Sequence, residues 1–145
     1  MKKLLILGAN RYNVLCLRTA RDNGFYTFVA DRNSDAPGLR EADIPLAIDI
    51  VDCDALCAAV TAHGGIDGVV TMAEVGVRPA AEIAYRLGLP HITREAAAAA
   101  TSKAAMRERW AAIGPFSTDF AIVGSQEEAR SAATYLGNFP LTVKP

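Results

Sequence analysis

Leu4-Leu5-Ile6-Leu7-Gly8-Ala9-Asn10-Arg11-Tyr12-Asn13 sets four apolar residues in a row against a glycine and a polar turn. An unbroken apolar run closed by glycine is the pattern of a strand buried on both faces. Directly after it, residues 13–23 place Val14, Leu17 and Ala20 at spacing three before Gly24, which predicts a helix and its terminator. The same strand-then-helix sentence repeats along the chain. Tyr26 to Ala30 reads as a second strand with Asp31 at its carboxyl end, and the turn-rich Asn33-Ser34-Asp35-Ala36-Pro37-Gly38 follows. Ile44 to Ile48 gives a short third strand, and Asp52 caps a helix through Leu56 and Val60 that stops at Gly64-Gly65. Gly68 to Met72 is the fourth strand, expected to be buried, and Pro79 opens a helix whose stripe is Ala80, Ile83, Ala84 and Leu87. Four such alternations imply an α/β fold: a Rossmann-like, doubly wound parallel sheet with helices on both faces.

The character of the chain changes after Leu89-Pro90. Residues 93–100 are alanine-rich and helical, and a further helix is expected from Lys103 to Ala112 with Met106, Trp110 and Ile113 on one face. Ser117 to Val123 alternates like a strand, Ser125 and Glu128 form a capping box, and Phe139 to Val143 is expected to be a strand. The expected organisation is a first domain over residues 1–90 and a second, incomplete one over residues 91–145.

Composition removes several functional classes. With 145 residues and 51% hydrophobic content the chain can bury a core without staples. Fifteen basic and sixteen acidic residues leave a net charge of −1, so no field draws nucleic acid or an anionic membrane. No stretch approaches the ~20 apolar residues of a membrane span. The apolar start is broken by Gly8, Asn10 and Arg11, which argues against a leader for export. Cys16, Cys53 and Cys57 make no paired framework and read as small apolar residues. His63 and His91 are far apart, so no metal ligand set is expected. A reduced, cytoplasmic setting is the expectation.

Few residues remain to carry chemistry. A dinucleotide fold would place GxGxxG at the first turn, but Gly8 stands with Asn10 and Asn13 where the other two glycines belong. Asparagine side chains obstruct the approach of a pyrophosphate to the backbone, which disfavours NAD. The turn is either a small-ligand contact through free helix amides or a plain tight turn. Asp31 is either a ribose acceptor or a loop cap. Glu74 follows the fourth strand, where it either overlooks a ligand crevice or complements the dipole of the next helix. Lys103 opens a helix against the macrodipole, and Lys144 ends an apolar segment. A local cost with no local gain is a reason to expect a ligand, and an ammonium group suits phosphate oxygens. The closing Thr142-Val143-Lys144-Pro145 reads as a fold interrupted midway, the front part of a nucleotide-using enzyme.

Taken in order, KKLLILGAN, VADRNSDAPGLREAD, DIVDCDAL, IDGVVTMAEVGVRPAAEIAYRLGLP, TSKAAMRERWAAIG and LTVKP resemble the front of an ATP-grasp carboxylate–amine (or carboxylate–thiol) ligase. The resemblance spans essentially the whole chain. It implies a preATP-grasp domain over residues 1–90 followed by the opening of an ATP-binding portion. It also implies ATP and Mg²⁺ as cofactors of the complete enzyme, with the metal ligands outside this chain. Small-molecule carboxylate and amine substrates are implied, as is a homodimer formed through the first domain. Lys103 and Lys144 match nucleotide-contacting lysines, and Gly8, Asn10, Asn13 and Glu74 would face the acceptor substrate. Ser102 stands where relatives often carry aspartate, and it can cap the helix. Without a phosphate-covering loop and acidic metal ligands, this chain is expected to show no ATP turnover of its own. Two other classes compete: a non-catalytic α/β interaction or regulatory module, and a divergent NAD(P)-binding Rossmann domain.

Overall fold

The computed structural model describes residues 1–114, 118–137 and 139–144. The chain divides into two compact units, Met1–Ala98 and Ala99–Pro145.

The first unit is built on a parallel sheet of β1 (Lys3–Leu7), β2 (Tyr26–Ala30), β3 (Ile44–Leu46) and β4 (Gly68–Thr71), in the order β3-β2-β1-β4. The register sets Leu7 beside Ala30 on one side and beside Thr71 on the other. Three helices, α1 (Asn13–Asp22), α2 (Cys53–Ala62) and α3 (Val77–Arg86), cover it. Alternation within β1 decides which face each side chain serves. Leu5 and Leu7 join Phe28, Leu56, Val60 and Ile83 in the core under α2 and α3. Ile6 joins Val29, Leu17, Ala20 and Leu39 in a second core under α1. Both faces of β1 and β2 are therefore covered, as the continuous apolar runs required. Each fully buried large side chain contributes about 1.5–3 kcal/mol relative to exposure.

Local signals work as read in this unit. The Asp52 carboxylate accepts from the Ala55 amide at 3.0 Å and starts α2. Pro79 lies within the first turn of α3, and Ile83 and Ala84 are buried. Gly24 and Gly88 take positive φ just beyond α1 and α3. β3 is shorter than expected and carries Pro45 on an edge, where a missing N–H costs no ladder bond. One expectation needs correction: β4 is half-buried throughout, because it occupies the other edge of the sheet.

Two polar arrangements hold the scaffold and were not legible from spacing. Asp43 accepts from both the amide and the hydroxyl of fully buried Thr27, at 2.8 and 2.7 Å. Burial pushes the Asp43 carboxyl upward, but the Thr27 bonds outweigh it and leave the group below the usual carboxylate range. Across α2 and α3, Arg86 pairs with Glu82 and Asp54, and Glu82 also faces Arg94 at 3.5 Å. The hydrogen bond from Arg86 is the main reason the Glu82 carboxyl lies below its ordinary value. Cys16, Cys53 and Cys57 are half-buried free thiols, and burial pushes each upward, toward the protonated form.

α4 (Arg94–Ala100) spans the change of unit. The second unit holds α5 (Lys103–Ile113) and α6 (Gln126–Leu136). Ser102 accepts from the Ala105 amide at 3.3 Å and caps α5, while Ser125 accepts from the Glu128 amide at 3.2 Å and caps α6. The Glu128 carboxylate bonds the Gly124 amide at 2.7 Å, one residue ahead of the amide a capping box uses. α5 forms as expected, and two expected strands do not. On the Met106-Trp110-Ile113 side of α5, Ile113 is 81% exposed and Trp110 46%. Residues 118–123 form no strand, and Ser117, the expected start, lies outside the described residues. Residues 139–143 form none either, with Phe139 and Val143 exposed, and Pro145 is likewise outside the described residues. A strand needs a ladder partner, and alternation alone does not supply one. Among the described residues no helix is long and apolar enough to cross a membrane.

Candidate functional site

Strand order locates the site before any side chain is considered. The chain passes from β1 to β2 to β3 in one direction, then returns across β1 to place β4 on its other side. The connections after β1 and β4 thus leave on opposite faces, α1 packing on the Ile6 side of β1 and α3 on the Leu5 and Leu7 side. Ligands of open α/β sheets bind at such switch points. Gly8, Asn10 and Asn13 follow β1, and Glu74 follows β4. With Leu7 beside Thr71, all four predicted contact residues lie at one edge of the sheet.

The turn after β1 is tightly organised. Gly8 has φ of +98°, a conformation that favours glycine, and its amide extends the sheet by bonding the Ala30 carbonyl at 2.8 Å. The Ala9 amide donates to Asp31 at 2.8 Å, and the other Asp31 oxygen accepts from the Asn33 amide at 2.9 Å. Asp31 therefore acts as the cap that ties the first loop to the second. Asn10 accepts through its side-chain oxygen from the amides of Tyr12 and Asn13, at 2.9 and 3.2 Å. Its backbone carbonyl receives the amides of Asn13 and Val14 at 2.9 and 3.3 Å. The sequence suggested helix amides open to an anion, but at Tyr12, Asn13 and Val14 they end on Asn10. Asn13 itself is 3% exposed, and its Nδ2 has no hydrogen-bond partner among the described residues. That nitrogen lies only 2.3 Å from where a Cβ on Gly8 would stand. Arg11 and Tyr12 form the outer lip, with the guanidinium 4.8 Å from the ring centre and bonded to the phenol oxygen.

The β4 side is shaped by Thr71 and Gly76. The Thr71 hydroxyl donates to the Leu7 carbonyl at 3.1 Å and accepts from the Ala73 amide at 3.1 Å. A Cβ on Gly76 would come within 2.3 Å of that hydroxyl oxygen, so only glycine lets the 3₁₀ turn Glu74–Gly76 fold back on the strand end. Glu74 is exposed on this turn, immediately ahead of α3. It thus stands between the carboxyl end of β4 and the N-terminus of α3.

Lys103 and Lys144 both belong to the second unit, and both are exposed. Lys103 is the first residue of α5, beside the Ser102 cap. Among the described residues no group of three or more His, Cys, Asp or Glu is placed to hold a metal ion. Sequence reasoning missed the Arg11–Tyr12 lip, the Asn10 cap and the Thr71–Gly76 contact. The T-x-x-E-x-G spacing was the available signal for the last.

Comparison with known proteins gives a consistent picture. Residues 17–91 match the ATP-grasp N-terminal domain. Over 146 residues the chain is 30% identical to the formate-dependent phosphoribosylglycinamide formyltransferase of Parasynechococcus marenigrum, covering 99% of this chain and 37% of that protein. The chain thus spans little more than a third of the length of the curated relatives it matches. Phosphoribosylglycinamide synthetase from Anaerococcus prevotii superposes with a TM-score of 0.73 at 27% identity, over 94% of this chain and 35% of that one. The N5-carboxyaminoimidazole synthetase from Staphylococcus aureus complexed with ADP gives a TM-score of 0.76 at 16% identity, over 92% and 35%. That last likeness is one of fold alone.

Proposed function

Starting from the fact that this chain belongs to the ATP-grasp N-terminal domain family, we propose that it is the front portion of an ATP-dependent ligase joining a carboxylate to an amine or a thiol. The single observation that carries this reading is the pairing of the Gly8 loop and the Glu74 turn at the β1/β4 switch point. In the complete enzyme a carboxylate oxygen attacks the γ-phosphorus of ATP and ADP leaves. The amine then attacks the acyl carbon, expels phosphate and loses a proton. When bound, ATP and Mg²⁺ supply the activated phosphoryl group and charge neutralisation around it.

This chain's own part is to seat the acceptor. Glu74 provides an exposed negative charge suited to an ammonium or hydroxyl group. Gly8, Asn10 and Asn13 shape the facing wall, and Lys103 and Lys144 contact the nucleotide, the latter at its phosphates. Residues 1–90 form the acceptor-side domain, and residues 91–145 open the nucleotide-binding one. Two lysines with no acidic metal-ligand group among the described residues leave phosphoryl transfer unsupported, so the 145-residue chain is inactive by itself. The relatives' substrates, a phosphoribosyl amine among them, are the first candidates for the acceptor.

The test is direct. Purified chain incubated with ATP, Mg²⁺, formate and a glycinamide-type amine should release no ADP above a blank. The amine alone should shift backbone amide signals of residues 8–13 and 73–76, and Glu74→Gln should weaken that response. ADP release by the chain, or amine-induced shifts confined to other parts of the fold, would overturn the reading.

A further inference from the structure

We propose that Asn10 is a specificity-determining residue: its side chain occupies the place of an anion at the start of α1 and closes the first loop to phosphate. A helix N-terminus presents orphan amides that attract negative charge, and strand–turn–helix units commonly use them for phosphate groups. Here the acceptor is built in. The Asn10 side-chain oxygen receives the amides of Tyr12 and Asn13, and its carbonyl receives those of Asn13 and Val14. One residue satisfies the cap and the first two positions of α1.

A second, independent feature closes the same loop. Asn13 is nearly fully buried with its amide nitrogen laid against Gly8, in the space where a pyrophosphate would approach the backbone of a glycine-rich turn. The two asparagines therefore stand at the two missing fingerprint glycines for different reasons. Asn10 takes the hydrogen bonds and Asn13 takes the volume. Charge reinforces the effect on one flank, since the Ala9 amide is already held by the Asp31 carboxylate, which repels a second anion. An acceptor that carries a phosphate must present it elsewhere and offer this wall an uncharged or cationic group. The inference deepens the acceptor-site reading above, yet its test contains neither nucleotide nor carboxylate, so the two fail separately.

The experiment uses the full ¹⁵N-labelled chain titrated with inorganic phosphate, comparing wild type with N10G, N10A and N10D. Wild type and N10D, which keeps an acceptor oxygen, should show no saturable movement of the Tyr12 and Asn13 amide signals. N10G and N10A should show it, with phosphate bound roughly 2–5-fold more tightly than by wild type, the scale of one charge interaction at a helix terminus. Equal movement in wild type would overturn the proposal. So would folded N10G and N10A chains that ignore phosphate. Should both variants fail to fold, hydrogen exchange on wild type decides: protection of the Tyr12 and Asn13 amides is required, and rapid exchange there sinks the idea.

Discussion

The two units use the same local grammar and arrive at different degrees of burial. In Met1–Ala98 a carboxylate caps α2 and the helix goes on to bury Leu56 and Val60 completely. In Ala99–Pro145 serine hydroxyls cap α5 and α6 with comparable geometry, yet neither helix contains a fully buried residue. Caps and apolar spacing thus suffice to start a helix, but they do not create a core. In proteins most helical stability comes from tertiary packing of one face. The predicted contact residues follow the same division. Gly8, Asn10, Asn13 and Glu74 are positioned by a covered sheet, whereas Lys103 and Lys144 are exposed residues of the second unit. The first group is preorganised by that sheet.

The sharpest way to break this contrast is to remove one large side chain from each unit. Phe28→Ala, at a site with no exposure, should cost about 3–5 kcal/mol in chemical denaturation. Ile113→Ala, at 81% exposure, should stay within about 0.5 kcal/mol. Equal losses would show that the second unit depends on burial as the first does.

A smaller effect is expected from added methyl groups. Gly76→Ala forces a Cβ to within 2.3 Å of the Thr71 hydroxyl and should cost about 1–3 kcal/mol while shifting the amides around Glu74. Gly124→Ala meets only the Glu128 carboxylate at 3.6 Å, an ordinary contact, and should be near neutral in the same assay. A tolerated Gly76→Ala would mean that the turn carrying Glu74 is looser than its packing indicates.

The mildest comparison concerns caps alone. Asp52→Ala should cost about 1 kcal/mol of global stability, because α2 is welded to the core. Ser125→Ala removes a similar bond, but its effect should appear as faster hydrogen exchange confined to α6, with the global midpoint nearly unchanged. A global loss from Ser125→Ala would assign α6 to the same cooperative unit as the sheet.

What the sequence by itself determined is everything that depends on neighbours along the chain. The apolar runs of β1 and β2, the spacing of Leu17 and Ala20, and the serine and aspartate caps are short-range matters of sterics and hydrogen-bond satisfaction. They were readable, and so was the parallel α/β class that their alternation implies. The candidate crevice was half legible: Gly8 and Glu74 could be put at strand ends, but only the order β3-β2-β1-β4 makes those ends adjacent. Whether β4 is central or at an edge, whether the Trp110 face of α5 is covered, and whether Phe139 to Val143 finds a ladder partner are set by contacts distant in sequence. The role of Asn10 also waited on the structure, because spacing shows that a glycine is replaced but not where the new oxygen points. Burial and strand pairing join residues that lie far apart along the chain, and only the folded backbone says which ones meet.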